Sequence, residues 1–280
     1  VGGTDRFTRD TAVEALADDR YRGRIDPGWS VIDGMAPNGG YVMALVARAM
    51  RTGLPHPDPI SLTAYFLAPP APGAVDIEVE LLRASRRHST VAATLWQSGR
   101  QLTRLLGTFG DLTRAEGPEL VGLTPPRFPP VEDCVDVTAA AAERAASRRL
   151  PDFPIQQRFD HRVPAELTAW AIGQPTGRGE MGGYLRFADA EDGAAFDTLG
   201  LLVAADCLAP AVFNSTLGRT SWVPTIELTV QVRGRPVPGY LSACFRTRAI
   251  THGYLEEDGE LWDAEGNLVA LSRQMALAPR

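Results

Sequence analysis

Residues 59–73 read PISLTAYFLAPPAPG, and residues 225–239 read TIELTVQVRGRPVPG. Ile60, Leu62, Thr63, Pro70, Pro72 and Gly73 recur as Ile226, Leu228, Thr229, Pro236, Pro238 and Gly239, always 166 residues on and without a gap. The same offset carries Leu95 and Trp96 onto Leu261 and Trp262, Leu102 onto Leu268, and Leu105 onto Leu271. A single register held over about seventy residues marks an internal duplication.

Each copy runs in the same order. A glycine-containing turn leads into an apolar, alanine-rich segment, NGGYVMALVARAM from Asn38 and LGLLVAADCLAPAVF from Leu199. Leu45, Val46 and Ala49 fit helical spacing, as do Val203, Ala204 and Cys207. Both segments are apolar nearly all round, so each is expected as a buried helix. Strand patterns follow: Ile60, Leu62 and Ala64 alternate with Ser61 and Thr63, and Val75, Ile77, Val79 and Leu81 alternate with Asp76, Glu78 and Glu80. Residues 91–96 and 102–109 read as two more strands joined around Ser98 and Gly99. A shorter strand is expected before each helix, near residues 21–26 and 184–188. Between the copies lies a Pro- and Ala-rich stretch with TPPRFPP and TAAAAERAASRRL, the latter a candidate surface helix. The division expected is 1–112 for the first unit, 113–156 for the linker and 157–280 for the second.

Composition narrows the function. A net charge of -6, with no concentrated basic face, argues against nucleic acid as a partner. The longest apolar stretch, 199–213, is interrupted by Asp206 and Pro210 and is too short to span a bilayer, so no membrane partner is expected. The first residues lack the apolar core of a signal peptide. Cys134, Cys207 and Cys244 form an odd set without metal-ligand spacing and read as small fillers in a reducing compartment. A cytoplasmic location is the expectation.

A buried apolar helix preceded by a short strand and wrapped by an antiparallel sheet is the hot-dog pattern. Two such modules in one chain resemble the double hot-dog acyl-CoA thioesterases, the TesB-like type II enzymes. The resemblance is carried by AADCLAP at 204–210, PTIELTV at 224–230 and LVALSRQMALA at 268–278. It implies an α+β fold in which two tandem modules form one long antiparallel sheet around two central helices. It also implies hydrolysis of an acyl-CoA or other acyl thioester, further association into a homo-oligomer, and no metal or cofactor. In that family an aspartate on the central helix, a threonine opening the next strand and a glutamine on the last strand hold the attacking water. Those roles fall on Asp206, Thr225 and Gln274.

The chemistry suits these residue types. A thioester carbonyl needs polarisation, and the water attacking it must lose a proton. A desolvated aspartate is basic enough to take that proton. A hydroxyl and an amide each offer donor and acceptor for orienting water. The copies are also unequal: 166 residues before Asp206, Thr225 and Gln274 stand Gly40, Pro59 and Thr108. The first copy reads as a partner that contributes Asn38, Gly39 and Gly40, whose backbone donors at a helix start would face a bound carbonyl. Where the family carries Gly-Gly-Gln at that helix start, Tyr41 replaces the glutamine. Structural alternatives stand beside each reading. Asp206 could satisfy backbone N–H groups around Pro210, Thr225 could simply open a strand, Gln274 could be an outward alternation residue, and Asn38–Gly40 could be an ordinary glycine turn.

Other enzyme classes lack their signatures. GRGEMG at 177–182 matches a dinucleotide fingerprint in letters only, because no strand precedes it and no helix follows. There is no G-x-S-x-G elbow, phosphate-binding loop or H-E-x-x-H. Two alternatives remain: a non-catalytic acyl-ligand-binding protein, and an enoyl-thioester hydratase, whose aspartate and histidine spaced five apart beside Asn-Pro are not found.

Overall fold

The computed structural model describes residues 5–32, 36–146, 153–190, 195–218 and 223–278. The first half opens with α1 (Arg6–Asp10), β1 (Glu14–Ala17) and β2 (Arg20–Ile25). A small separate ribbon of β3 (Ser30–Ile32) and β4 (Ala36–Pro37) leads into the central helix α2 (Gly39–Arg51). The strands β5 (Asp58–Phe66), β6 (Gly73–Ala84), β7 (Ser89–Gln97) and β8 (Arg100–Gly110) follow. The connecting segment contributes β9 (Val135–Asp136) and α3 (Val137–Ala146). The second half continues through β10 (Phe159–Val163), α4 (Ala165–Thr168), β11 (Glu180–Phe187) and the central helix α5 (Gly200–Ala204). It ends with β12 (Thr225–Val232), β13 (Leu241–Arg246), the short β14 (Ile250–Thr251), β15 (Tyr254–Trp262) and β16 (Leu268–Leu277).

Among the described residues one long sheet carries both halves, in the order β1-β2-β6-β7-β8-β5-β12-β16-β15-β13-β11-β10-β9, with β14 paired to β15. Its neighbours all pair antiparallel. Outward from the junction of β5 and β12 the order is the same on both sides, so a pseudo-twofold axis crosses that junction. At the axis Thr63 faces Thr229, and their hydroxyl oxygens lie 2.8 Å apart. The α+β double hot-dog architecture expected from the resemblance is the one found.

Local chemistry explains the strands. Ser98 and Gly99 both have positive φ, as a two-residue hairpin turn between β7 and β8 requires. Leu62 and Ala64 turn inward in β5 while Tyr65 faces out. In the connecting segment Val135 and Asp136 pair with the end of β10. The candidate surface helix there is α3, and residues 147–150 of TAAAAERAASRRL lie outside the described residues.

The central helices differ from expectation in one respect. Helix α2 is buried along almost its whole length, with Tyr41 through Val46 at 1% exposure or less. Each large apolar side chain so placed contributes roughly 1.5–3 kcal/mol relative to exposure. In the second half the helix stops at Ala204, capped at Ala205, so Asp206 lies beyond its end and not on it. The chain resumes as a 3-10 turn over Ala211–Asn214. Pro210 has no N–H to give to the carbonyl of Asp206, and its ring would crowd that carbonyl in a continuing helix. That carbonyl bonds instead to Asn38. The offset of 166 residues therefore holds in the strands from β5 onward but not in the helix.

One apolar core unites both halves, with Tyr41, Leu45 and Met50 from the first packed with Leu201, Leu202 and Leu228 from the second. Trp29 stacks on Tyr41 at 5.1 Å between ring centroids and meets Phe159 of the second half edge-on at 6.1 Å. A smaller cluster of Val212, Phe213, Val223, Leu255 and Ala276 lies around the turn after α5. Among the described residues no helix is long and apolar enough to cross a membrane.

Candidate active site

The site begins at the start of α2. Asn38 has extended backbone and caps the helix, its Oδ1 accepting from the Tyr41 N–H at 2.8 Å. The other end of the same amide crosses to the second half. Its Nδ2 donates to the backbone oxygen of Asp206 at 2.6 Å and to Asp206 Oδ2 at 3.0 Å. The Gly40 N–H donates to that same Oδ2 at 2.9 Å. The carboxyl group of the second half thus sits on the helix start of the first, where free N–H groups and the helix dipole favour an anion.

Two effects compete at Asp206. Burial pushes its pKa up, and the N–H groups of Gly40 and Gly39 with the Asn38 amide pull it down; burial wins and leaves it at about 6. The group keeps part of its surface open to solvent. It is a carboxylate at neutral pH and a better proton acceptor than an exposed aspartate.

Thr225 and Gln274 form a second cluster. A bulge between Thr225 and Glu227 interrupts the register of β12 against β16, where Thr225 stands opposite Ala276. Gln274 is not an outward residue: it points inward in phase with Ala276 and is 8% exposed. The Thr225 hydroxyl donates to Gln274 Oε1 at 2.9 Å. Gln274 Nε2 donates in turn to Glu257 Oε1 at 2.8 Å, and Glu257 Oε2 accepts from the Ala211 N–H at 2.5 Å. Glu257 is 6% exposed, and burial raises its pKa to about 7 despite those two donors, with help from the negative charges of Asp206 and Glu256.

Thr225 and Gln274 are therefore in direct contact, whereas Asp206 is bonded to Asn38 and Gly40 and meets the other cluster through its charge on Glu257. Asn38, Gly39 and Gly40 are gathered at Asp206, with the Gly40 N–H engaged by its carboxylate and not left open. Tyr41 points away into the core, where its hydroxyl donates to Asp10 O at 2.9 Å and its ring stacks on Trp29.

Glu257 escaped the sequence reading. It lies among Glu256, Asp258 and Glu260, which reads as a solvated acidic run. The usable signal was phase: in β15 it falls in step with Leu255, Gly259 and Leu261, all buried.

The fold and the matches to known families define a thioester hydrolase. The chain belongs to the acyl-CoA thioesterase family, matching the model of its N-terminal domain over residues 25–110 and that of its C-terminal domain over residues 131–278. A crystal structure from Thermobifida fusca, assigned as a thioesterase II, is 30% identical with a TM-score of 0.84 and 98% of each chain covered. The acyl-CoA thioesterase II TesB2 of Mycobacterium marinum shares the fold at 18% identity, with a TM-score of 0.71 and 97% of each chain covered. Among sequences, a thioesterase-like protein, TwmA of Talaromyces wortmannii, is 25% identical over 99% of this chain and 92% of its own length.

Proposed function

We propose that the protein hydrolyses acyl-CoA thioesters by water that Asp206 deprotonates and that Thr225 and Gln274 orient. The supporting observation is Asp206 itself, a carboxylate of raised pKa held at the start of α2 and partly open to solvent. Water attacks the carbonyl carbon as Asp206 takes one of its protons. The tetrahedral intermediate then expels the thiolate, the C–S bond breaks, and Asp206 returns the proton to sulfur. The products are a free acid and a thiol. Asn38, Gly39 and Gly40 hold the Asp206 carboxylate at the start of α2, where their donors fix its orientation toward the water.

The deciding experiment is a panel of acyl-CoA thioesters followed by free-thiol release, with wild type beside Asp206→Asn. Turnover by wild type and its loss in the variant support the mechanism. Equal turnover removes Asp206 as base, and binding without turnover by the wild type would favour an acyl-ligand-binding protein.

The reading extends to setting and assembly. Three unpaired, buried cysteines are consistent with a reducing cytoplasm. Tyr65, Leu106 and Met275 stand exposed on the outer face of the central strands, which suits a homo-oligomer. Light scattering that finds only a 30.2 kDa species at micromolar concentration would count against assembly. The units 1–112 and 157–280, joined by 113–156, are the halves we take the duplication to have produced.

A further inference from the structure

Glu257 and Gln274 are directly opposed across β15 and β16, and both point into the buried side of the sheet. An ionised glutamate can only accept hydrogen bonds. One of its oxygens is taken by the Ala211 N–H, and only the Nε2 end of Gln274 can face the other. The Oε1 end must then face Thr225, whose hydroxyl commits its proton to it. Reversing the amide would reverse this chain of donors. Nε2 would donate to the Thr225 oxygen, and the Thr225 proton would turn outward.

That polarity matters to the water. A nucleophilic water needs acceptors for its two protons and a free lone pair for the carbon. Asp206 accepts one proton. In the observed arrangement the oxygens of Thr225 and Gln274 both retain a lone pair to accept the other. In the reversed one Thr225 would turn a donor toward the water in place of those acceptors, so the second water proton would lose its acceptor and the oxygen would be less nucleophilic.

We propose that Glu257 is a positioning residue that fixes the Gln274 amide so that the Thr225–Gln274 pair presents acceptors to the hydrolytic water. The assignment rests on the hydrolytic reading above. The groups facing Glu257 are Asp206 from the turn beyond α5, Gln274 from β16 and the Ala211 N–H, with Glu256 beside it on its own strand. Among the described residues it forms no ion pair with Lys, Arg or His. Protonated Glu257 can donate to Gln274 Oε1 and so allow the reversed amide. Both carboxyl groups must therefore be ionised for turnover.

The test compares wild type, Glu257→Gln and Asp206→Asn on acetyl-, hexanoyl- and palmitoyl-CoA across pH. The glutamine at 257 can keep the Ala211 bond through its oxygen, which turns its NH2 toward Gln274 and drives the reversed amide. We expect kcat to fall about 10- to 100-fold with KM within about three-fold, the pattern of lost orientation without lost binding. The acid limb of log kcat/KM should approach a slope of about two in wild type and about one in Glu257→Gln. Independently of turnover, the Gln274 side-chain amide resonances, assigned with Gln274→Ala, should shift with pH as Glu257 ionises and stay fixed in Glu257→Gln. Wild-type kcat in Glu257→Gln, a single-proton limb in wild type, or a Gln274 amide that does not titrate would each overturn the assignment. A dead Asp206→Asn beside a fully active Glu257→Gln removes only Glu257. An active Asp206→Asn removes the general base, and the amide titration then still decides whether Glu257 controls Gln274. Should Glu257→Gln fail to fold, the wild-type limb and the wild-type titration remain decisive.

Discussion

Asp206, just beyond the end of α5, accepts a hydrogen bond, at 2.9 Å, from the backbone N–H of Gly40 in the first turn of α2. The end of one central helix thus meets the start of the other. A Cβ at Gly40 would lie 2.4 Å from the Leu202 carbonyl oxygen and 2.9 Å from the Val203 Cα. The approach of α2 to α5 leaves no room for a side chain at Gly40, and the Asp206 side chain occupies the space beside it.

Gly40→Ala should therefore be severe. The clash is with backbone, which cannot swing aside as a side-chain tip can, so the cost is expected at about 2–3 kcal/mol or more. Gly39→Ala should cost less, because its Cβ would press mainly on the Phe66 ring edge and the Asp206 carboxylate. Urea unfolding of both variants checks the order. A Gly40→Ala protein as stable as Gly39→Ala would mean that the helices separate easily.

The roles at the site predict unequal losses. Asp206→Asn keeps the shape but accepts no proton, so kcat should drop by roughly 10²–10⁴. Thr225→Ala and Gln274→Ala should each cost about 10- to 100-fold, as one orienting bond is lost. KM should stay within a few-fold in all three, since the acyl chain and carrier are gripped elsewhere. Steady-state kinetics on the best acyl-CoA substrate decide it, and a Gln274→Ala loss equal to that of Asp206→Asn would reject this division of labour.

The strands were legible because their code is local. Period-2 alternation and the Pro72-Gly73 and Pro238-Gly239 turns set β5, β6, β12 and β13, and the repeat made Thr63 and Thr229 equivalent positions, which the structure brings together at 2.8 Å. Helix α5 was misread because apolar composition marks burial and not length. Pro210 gave a stop signal, but the chain leaves the helix five residues before it, where Asn38 captures the Asp206 carbonyl. That capture is a long-range event across 168 residues, invisible to any local window. Glu257 was hidden for a related reason. Its neighbours on the strand are acidic, and only the burial of every second residue separates it from them.

The pH dependence of activity has a definite sign. Asp206 must be ionised to act as base, and its pKa stands at about 6. Glu257, with a pKa of about 7, must be ionised as well, so activity should begin to fall as pH drops through about 7, fall more steeply below about 6, and reach its plateau only above both values. A kcat/KM that is flat from about pH 5 to about pH 8 would place the base elsewhere.

Stability should run the opposite way. Glu257 has a folded pKa of about 7, above the ordinary 4.5, so between those values the folded state holds a proton that the unfolded state releases. Its contribution to stability is therefore lost as pH rises through that window, by an amount on the order of 3 kcal/mol. His161, buried and held neutral with a pKa near 4 against 6.5, acts in the other direction: between those values the unfolded state binds the extra proton, and stability rises with pH. Asp206, raised to about 6, adds to the falling trend. The net curve mixes these opposing groups, so the Glu257 share is read as the difference between wild type and Glu257→Gln. Urea unfolding at about pH 5 and about pH 8 should find the variant's relative stability higher at the alkaline end, because a neutral amide escapes the cost of a buried charge. If the difference between the two proteins is the same at both pH values, Glu257 is already ionised in the folded core at about pH 5, its pKa is not raised, and it cannot supply the second proton of the acid limb.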